Sequence, residues 1–409
     1  MTEPGRSTGR SFGLGLAAVV AVGVLARLAV MVPGFGHRTD PDGYLVLARS
    51  LAEGKGFALG GRPTAYRPPL YPILLTPLVA TLGDQLAWGI AALHLVLGAG
   101  TVALAALAGR RWGLSPARAL TGSAIVACDP ALLAQARVVM TETPSAFLVA
   151  AVLAALAGDD RRGPLLGGLA FGLAALCRPS FLPAAGLTAA AALLAGPGDG
   201  RARIRRATVL AVATAVTLAP WAWRNARVLG APVWTTTHGG YTLALANNPV
   251  YYAEVLDGPP GAVWSGPGQR RWFEASRRAQ AALSEPEFDR RMRAEGLRML
   301  AERPRDFARA ALARLRRFWS VAPSDAVYPR KLRLATAAWT IPLWIALVLG
   351  LARRASWRWP KVAAPALLLA LSAVHSVFWT DLRMRAPLVP VIALIAAGCP
   401  AGRMRTRSQ

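Results

Sequence analysis

Two carboxylates lie two residues apart in Thr39-Asp40-Pro41-Asp42-Gly43-Tyr44, held in place by a proline and a glycine. A carboxylate at a membrane–water boundary can take a proton from a hydroxyl, and nearby lipid raises its pKa toward a working value. An Asp-x-Asp pair can also hold a divalent cation such as Mg or Mn against a phosphate. Turn formation accounts for the same residues, because Asp-Pro and Asp-Gly are ordinary turn formers. An amphipathic stretch and a glycine-rich turn (Gly54, Gly56, Gly60, Gly61) then lead to Tyr66-Arg67-Pro68-Pro69-Leu70-Tyr71-Pro72.

Further polar groups recur at the ends of apolar runs. Glu142 opens a run after Thr141 and suits either the helix dipole or a second acidic role at a helix end facing a bundle. Arg178-Pro179, Arg224-Asn225 and the pair Arg383 and Arg385 offer guanidinium forks that match phosphate oxygens. Anchoring at the interface and snorkelling to lipid headgroups are the structural readings of these arginines. Thr235-Thr236-Thr237-His238-Gly239-Gly240-Tyr241, continuing to Asn247-Asn248-Pro249, brings hydroxyls, an imidazole and two amides that could line a sugar site or simply be solvated.

The elements that must position these residues are set by composition. Of 409 residues, 54% are hydrophobic and 17% charged, where a soluble domain carries about a quarter charged. Apolar segments fall at 11–33, 85–107, 116–134, 143–157, 164–177, 180–195, 206–223, 333–351, 361–379 and 386–400. A helix crosses a bilayer core with about 20 residues, so the chain reads as an all-α polytopic membrane protein of about ten transmembrane helices. The first is expected to be an uncleaved anchor, since no small-x-small cleavage site precedes the polar loop. With the N-terminus inside, Arg110-Arg111 to Arg118, Arg161-Arg162, Arg201 to Arg206, Arg353-Arg354 to Lys361 and the tail after 400 all fall on the inner side. Both termini are then cytoplasmic, and two long segments, 34–84 and 224–332, lie outside. Leu70–Leu82 is too short to span and reads as juxtamembrane or re-entrant. The Arg-rich stretch from Gly268 to Phe318 is expected to form amphipathic helices over the outer face. Residues 1–400 read as one integral membrane domain and 401–409 as a basic cytoplasmic tail. The net charge of +26 is explained by these loops and anionic headgroups, so nucleic acid is not an expected partner. Cys128, Cys177 and Cys399 fall singly in or beside apolar runs and read as buried structural thiols.

Taken in order, these motifs resemble the membrane glycosyltransferases of the C-type fold, in the bacterial branch similar to protein O-mannosyltransferases and aminoarabinose transferases. The matching pieces are Asp40-x-Asp42-x-Tyr44 with Tyr-Arg-Pro-Pro-Leu-Tyr-Pro, Glu142 opening a helix, Leu-Cys-Arg-Pro at 176–179, Pro-Trp-Ala-Trp-Arg-Asn at 220–225, Gly-Gly-Tyr, Asn-Asn-Pro, and Arg-x-Arg-x-Pro-x-x-Pro at 383–390. The resemblance implies a polyprenyl-phosphate sugar donor, used on the outer face of the plasma membrane. It implies a first-loop Asp as general base, Asp42 slightly ahead of Asp40, and donor-phosphate contacts from Arg383, Arg385, Arg224 and Arg67. Tyr44, Arg178, Asn225, His238, Asn247 and Asn248 complete the candidate binding residues. Some members use a divalent cation; Asp40 and Asp42 would hold it here. The chain is short for the group and is expected to lack its soluble C-terminal module. The acceptor is left open among glycan, lipid and protein. Two other classes compete: a flippase of lipid-linked sugars, which calls for mid-membrane charges and repeated halves, and an O-antigen polymerase or ligase with long outer loops.

Overall fold

A computed structural model of the chain describes residues 4–32, 39–158, 162–259, 264, 267–279, 282–324 and 327–399. Arg161 and the tail 401–409 lie outside these. Each apolar segment is helical, as lipid demands of a backbone whose N–H and C=O groups find no water. α1 (Pro4–Met31) is followed by α2 (Tyr44–Ala52) and a hairpin of β1 (Ala58–Leu59) and β2 (Arg62–Pro63), with Ala58 opposite Pro63. Then come α3 (Leu70–Leu82), α4 (Leu86–Arg111), α5 (Pro116–Cys128), α6 (Pro130–Gln135), α7 (Glu142–Leu156), α8 (Gly163–Cys177), α9 (Leu182–Ala195) and α10 (Gly200–Leu229). The second polar region forms α11 (Gly239–Ala246), α12 (Pro249–Tyr251), α13 (Pro267–Ala279), α14 (Glu285–Glu302) and α15 (Pro304–Phe318). α16 (Arg330–Leu351), α17 (Ala363–Val377) and α18 (Val389–Ala397) close the chain.

Among the described residues, Gly9–Met31, Leu70–Arg111 and Arg330–Leu351 are long and apolar enough to cross a membrane, and four shorter helices are as apolar. The details depart from the expected segments for local reasons. The run 116–134 is broken at Asp129, which is extended (φ −62, ψ 125) and caps α6 by accepting from Ala131 N and Leu132 N at 2.9 and 3.1 Å. Pro130 imposes this, since a residue before proline avoids the helical region. α3 joins α4 through the single turn Gly83–Gln85 and belongs to one long apolar tract. α18 starts only at Val389, because a 3₁₀ coil, Leu382–Leu388, precedes it. α10 extends to Leu229, so Arg224 and Asn225 sit inside a helix. Only Cys177 of the three thiols is buried; Cys128 and Cys399 are half-exposed.

The core gathers around α7 and α18. Every residue of α18 is buried, and α7 buries all but three of its positions. Small residues let the helices meet: Leu394 of α18 fits against both Gly109 of α4 and Gly122 of α5. Where α8 crosses α10, a Cβ at Gly168 would lie 2.4 Å from the Leu210 carbonyl oxygen and 2.7 Å from Ala213 Cβ.

The same substitution should therefore have opposite signs at two helical glycines. Gly168→Ala forces a backbone apart, costing about 1–3 kcal/mol, and should lower the thermal midpoint in detergent. Gly186→Ala, with nothing within 4 Å, should raise it slightly, by up to about 1 kcal/mol of helix propensity. A drop for both would refute the close-contact account.

Candidate active site

The polar residues meet where α7 begins, α8 ends and the coil before α18 passes. Val139 N donates to Thr39 O at 3.0 Å, which lays the Asp40–Asp42 loop beside the start of α7. Gly43 adopts φ 74 at the cap of α2, a left-handed conformation open to glycine. The turn so made aims Asp40 at the helix N-terminus: Oδ1 accepts from Tyr44 N at 2.9 Å and Oδ2 from Leu45 N at 2.8 Å. Asp40 is an N-terminal anchor of α2, favoured by the dipole.

Asp42 faces the other way. Its Oδ1 accepts from Arg67 Nη2 at 3.0 Å, and its main-chain oxygen accepts from Arg67 Nε at 3.1 Å. The carboxylate is thereby fixed in orientation while its side chain stays 23% exposed. Arg67 itself lies 5.3 Å from the Tyr66 ring centroid and 6.0 Å from that of Tyr44. Burial pushes both phenols above their usual pKa range, so they stay neutral donors. His238 packs edge-on against Tyr66 at 4.4 Å and lies 5.2 Å from Tyr241. Desolvation, with the Arg67 guanidinium adding to it, pushes its pKa down to about 3, so the imidazole is neutral.

Glu142, wholly buried, is the first residue of α7. Its Oε1 lies 3.0 Å from Arg178 Nη1 and 3.3 Å from Arg383 Nη1. The two guanidiniums share this carboxylate, and Arg383 Nε also lies 4.0 Å from the half-exposed Asp381 Oδ2. Arg383 is 24% exposed, so its guanidinium can be reached from outside. Glu142 Oε2 and Thr380 Oγ1 are buried and take no hydrogen bond among the described residues. Ser145 Oγ donates to Cys177 Sγ at 3.3 Å, locking the start of α7 to the end of α8.

The remaining candidates are spoken for by the fold. Arg224 donates to Thr64 O and Phe57 O at 2.7 and 2.8 Å, clamping the hairpin onto α10, and Asn225 donates to Val233 O at 2.7 Å. Asn247 donates to Leu243 O and Val377 O, and Asn248 caps α12 through Tyr251 N. Arg385 is buried and donates to Phe318 O and Ser320 O, both at 2.8 Å, under the face of Trp344. Desolvation lowers its pKa to about 10. None of these five is presented to a ligand as an open fork. Asp40 and Asp42 do not converge on a common point, and no cluster of three or more His, Cys, Asp or Glu suited to a metal occurs among the described residues. A divalent cation held by both aspartates would have to displace the bonds of Asp40 to α2.

Two supports escaped the sequence reading. Glu285, at the start of α14, accepts from Ala65 N at 2.7 Å, from Thr64 Oγ1 at 2.6 Å and from Thr237 Oγ1. It ties together the segments that carry Arg67 and His238. The capping box Ser284–Glu287 marks the helix start but not its partner 220 residues away. His375 of α17 is 5% exposed, stacks on Phe318 at 4.9 Å and feels the Arg178 charge; within an apolar run it looked like core.

The fold has solved counterparts. The Archaeoglobus fulgidus oligosaccharyltransferase, crystallised with a tethered acceptor peptide containing the NVT sequon, matches with TM-score 0.53 and 15% identity over 93% of this chain. The oligosaccharyltransferase AglB from Archaeoglobus fulgidus, in complex with an inhibitory peptide and a dolichol-phosphate, matches with TM-score 0.52 and 14% identity over 93% of this chain. This chain has the C-type glycosyltransferase fold. It spans 49% of the archaeal chain. ArnT from Cupriavidus metallidurans bound to undecaprenyl phosphate gives TM-score 0.48 and 17% identity, over 93% of this chain and 76% of that one. Residues 73–175 match the family described as dolichyl-phosphate-mannose-protein mannosyltransferase. That match runs from α3 through most of α8; it contains Glu142 and stops three residues short of Arg178. No curated protein is similar to the chain at a significant level. In this C-type fold the ring of polar helix ends is formed by α7, α8 and the coil before α18, with the Asp42 loop over it.

Two outcomes follow. Glu142→Gln leaves two guanidiniums without their anion and should cost about 3–5 kcal/mol, seen as a large fall in thermal midpoint, whereas Arg383→Gln should cost less. An unchanged midpoint for Glu142→Gln would refute the triad. Because His238 is neutral when folded but titrates near 6.5 when unfolded, the unfolded state binds the extra proton between about pH 3 and 6.5. Stability should thus fall as pH drops below 6.5, and His238→Phe should flatten that loss between pH 7.5 and 4.5.

Proposed function

We propose that this chain transfers a sugar from a polyprenyl-phosphate-linked donor to an acceptor hydroxyl at the outer face of the plasma membrane, with inversion. The single observation that carries the reading is the pair of guanidiniums, Arg178 and the partly exposed Arg383, held on Glu142 at the same cluster of helix ends as the oriented, partly exposed Asp42. In support, the family matching 73–175 is named for dolichyl-phosphate-mannose, and an archaeal enzyme of the same fold carries dolichol-phosphate.

The anomeric carbon loses its bond to the phosphate oxygen through an oxocarbenium-like state. Charge builds on the departing phosphate, and the guanidiniums of Arg178 and Arg383 stabilise it. The acceptor oxygen forms the new bond from the opposite face, and its proton passes to Asp42, whose Oδ2 takes no hydrogen bond among the described residues. Glu142 holds both arginines in register. Asp40 is not assigned the base role, since both of its oxygens are occupied by α2. No step is routed through a divalent cation. The basic residues around Arg110–Arg118 and Arg353–Lys361 support a reading in which the opposite end, with both termini, faces the cytoplasm.

The test is transfer from radiolabelled polyprenyl-phosphate sugars by full-length protein in membranes. Asp42→Asn should lower turnover by about 10²–10⁴-fold with donor KM little changed. Arg383→Ala should raise donor KM, and EDTA should leave the rate intact. Equal loss with Asp40→Asn at unchanged stability would move the base. Donor that crosses the bilayer without ever being consumed would replace the transferase by a flippase.

A further inference from the structure

A second polar site lies at the opposite end of the bundle. α7 runs from Glu142 to a last turn in which the Ala154 carbonyl accepts from Arg111 Nη1 at 2.7 Å. Its 15 residues put about 20 Å between that turn and the triad. Next to Arg111, the turn from α4 to α5 borders a cavity of about 180 Å³ that reaches the ends of α16 and α18. Trp112, Arg118, Arg353, Ser356, Lys361 and Ile395 are among the residues that line it, and no carboxylate among the described residues does.

Ser356 Oγ donates to Gly350 O at 2.7 Å, but the other polar groups are less well supplied. Trp112 is 7% exposed, and its indole Nε1 is buried with no hydrogen-bond partner among the described residues. A buried indole N–H normally finds an acceptor, because leaving it unmade costs about 1–3 kcal/mol. Arg353 donates to Gly398 O at 3.2 Å but makes no ion pair there. Burial, with the nearby Arg353 charge adding to it, holds the Lys361 ammonium below its usual pKa. Like charges are thus gathered around a hollow, with an unused neutral donor at its side. What satisfies all of them is an anion with several oxygens.

We propose that this cavity binds a phosphate group, its oxygens taken by the Trp112 indole N–H, the Arg118 and Arg353 guanidiniums and the Lys361 ammonium. Three cations suit a phosphate monoester or diester, since guanidinium forks match its oxygens and an ammonium supplies a point charge. The cavity sits where α4, α16 and α18 end and α5 begins, so the phosphate clips α16 and α18 to the α4–α5 turn. A lipid headgroup of that membrane face and a phosphate free in solution present the same chemistry. The site is independent of the transfer reaction.

The experiment is thermal unfolding of the full chain in a non-ionic detergent, titrated with short-chain phosphatidate, short-chain phosphatidylcholine or inorganic phosphate. Ligand that binds only the folded state raises the midpoint with concentration. Phosphatidate should do so at concentrations about tenfold or more below phosphatidylcholine. Trp112→Phe keeps the ring, removes the donor and should weaken the response about tenfold. Arg118→Gln with Lys361→Gln should abolish it, while Arg290→Gln with Arg291→Gln, exposed on α14, should not. A response to inorganic phosphate matching that to phosphatidate assigns the site to a free anion; a response to phosphatidate alone assigns it to lipid. Equal responses from wild type, Trp112→Phe and the double variant to every probe would overturn the proposal.

Discussion

A carboxylate buried between two guanidiniums sets the geometry of the site. Glu142, Arg178 and Arg383 come from three parts of the chain, and none could be buried alone without a penalty of several kcal/mol. Their mutual dependence fixes the start of α7, the end of α8 and the coil before α18 in one arrangement. The Ser145–Cys177 contact repeats the constraint one turn deeper. A triad of this kind does more than hold helices. It holds two guanidiniums in a low-dielectric setting, where an anion is bound more strongly than in water.

Arginine serves a second purpose that explains much of the basic character. Arg27 donates to Gly23 O and Ala127 O, Arg314 to Ser376 O and Ala246 O, Arg224 to Phe57 O and Thr64 O, and Arg385 to Phe318 O and Ser320 O. In each case a planar fork meets main-chain carbonyls. Most of these carbonyls, those of Ala127, Ala246, Ser376, Phe318, Thr64 and Ser320, lie at helix ends or in loops, where apolar surroundings would otherwise leave them unpaired. Arg314 fastens the α13–α15 region to α17 and α11. The same fork geometry fits phosphate oxygens. Residue type and spacing therefore cannot separate Arg383, which faces outward, from Arg385 two positions on, which faces Trp344.

This is also the limit of what could be read before the structure. Long apolar runs declare helices because lipid permits little else, and all ten expected segments are helical, with the polar motifs gathered at one end as their order suggested. Boundaries depended on single residues: Pro130 split one run, and the coil at 382–388 delayed α18. Contacts over long separations were illegible. Nothing near Glu285 announces that it receives Ala65 N and Thr64 Oγ1, and nothing in the run around His375 separates a polar wall from core.

The Asp-Pro-Asp loop shows how two identical side chains acquire different tasks. Gly43 turns the chain so that Asp40 looks along the axis of α2 and becomes its anchor, while Asp42 is left beside Arg67. Loops are ordinarily poor platforms for chemistry, because a misplacement of about 1 Å can cost about 10²-fold in rate. Here the loop is rigid by stages. Arg67 grips Asp42 at two atoms; Tyr44 and Tyr66 flank Arg67; Tyr44 meets Tyr71 edge-on at 5.4 Å, and the Tyr71 hydroxyl hydrogen-bonds His94 Nε2 at 2.7 Å. His238 backs Tyr66, and Glu285 ties its segment to residues 64–65. A carboxylate so braced keeps its bearing whatever the acceptor brings. The precision of a helix is thus carried onto a loop by five aromatic rings, one guanidinium and one half-buried glutamate.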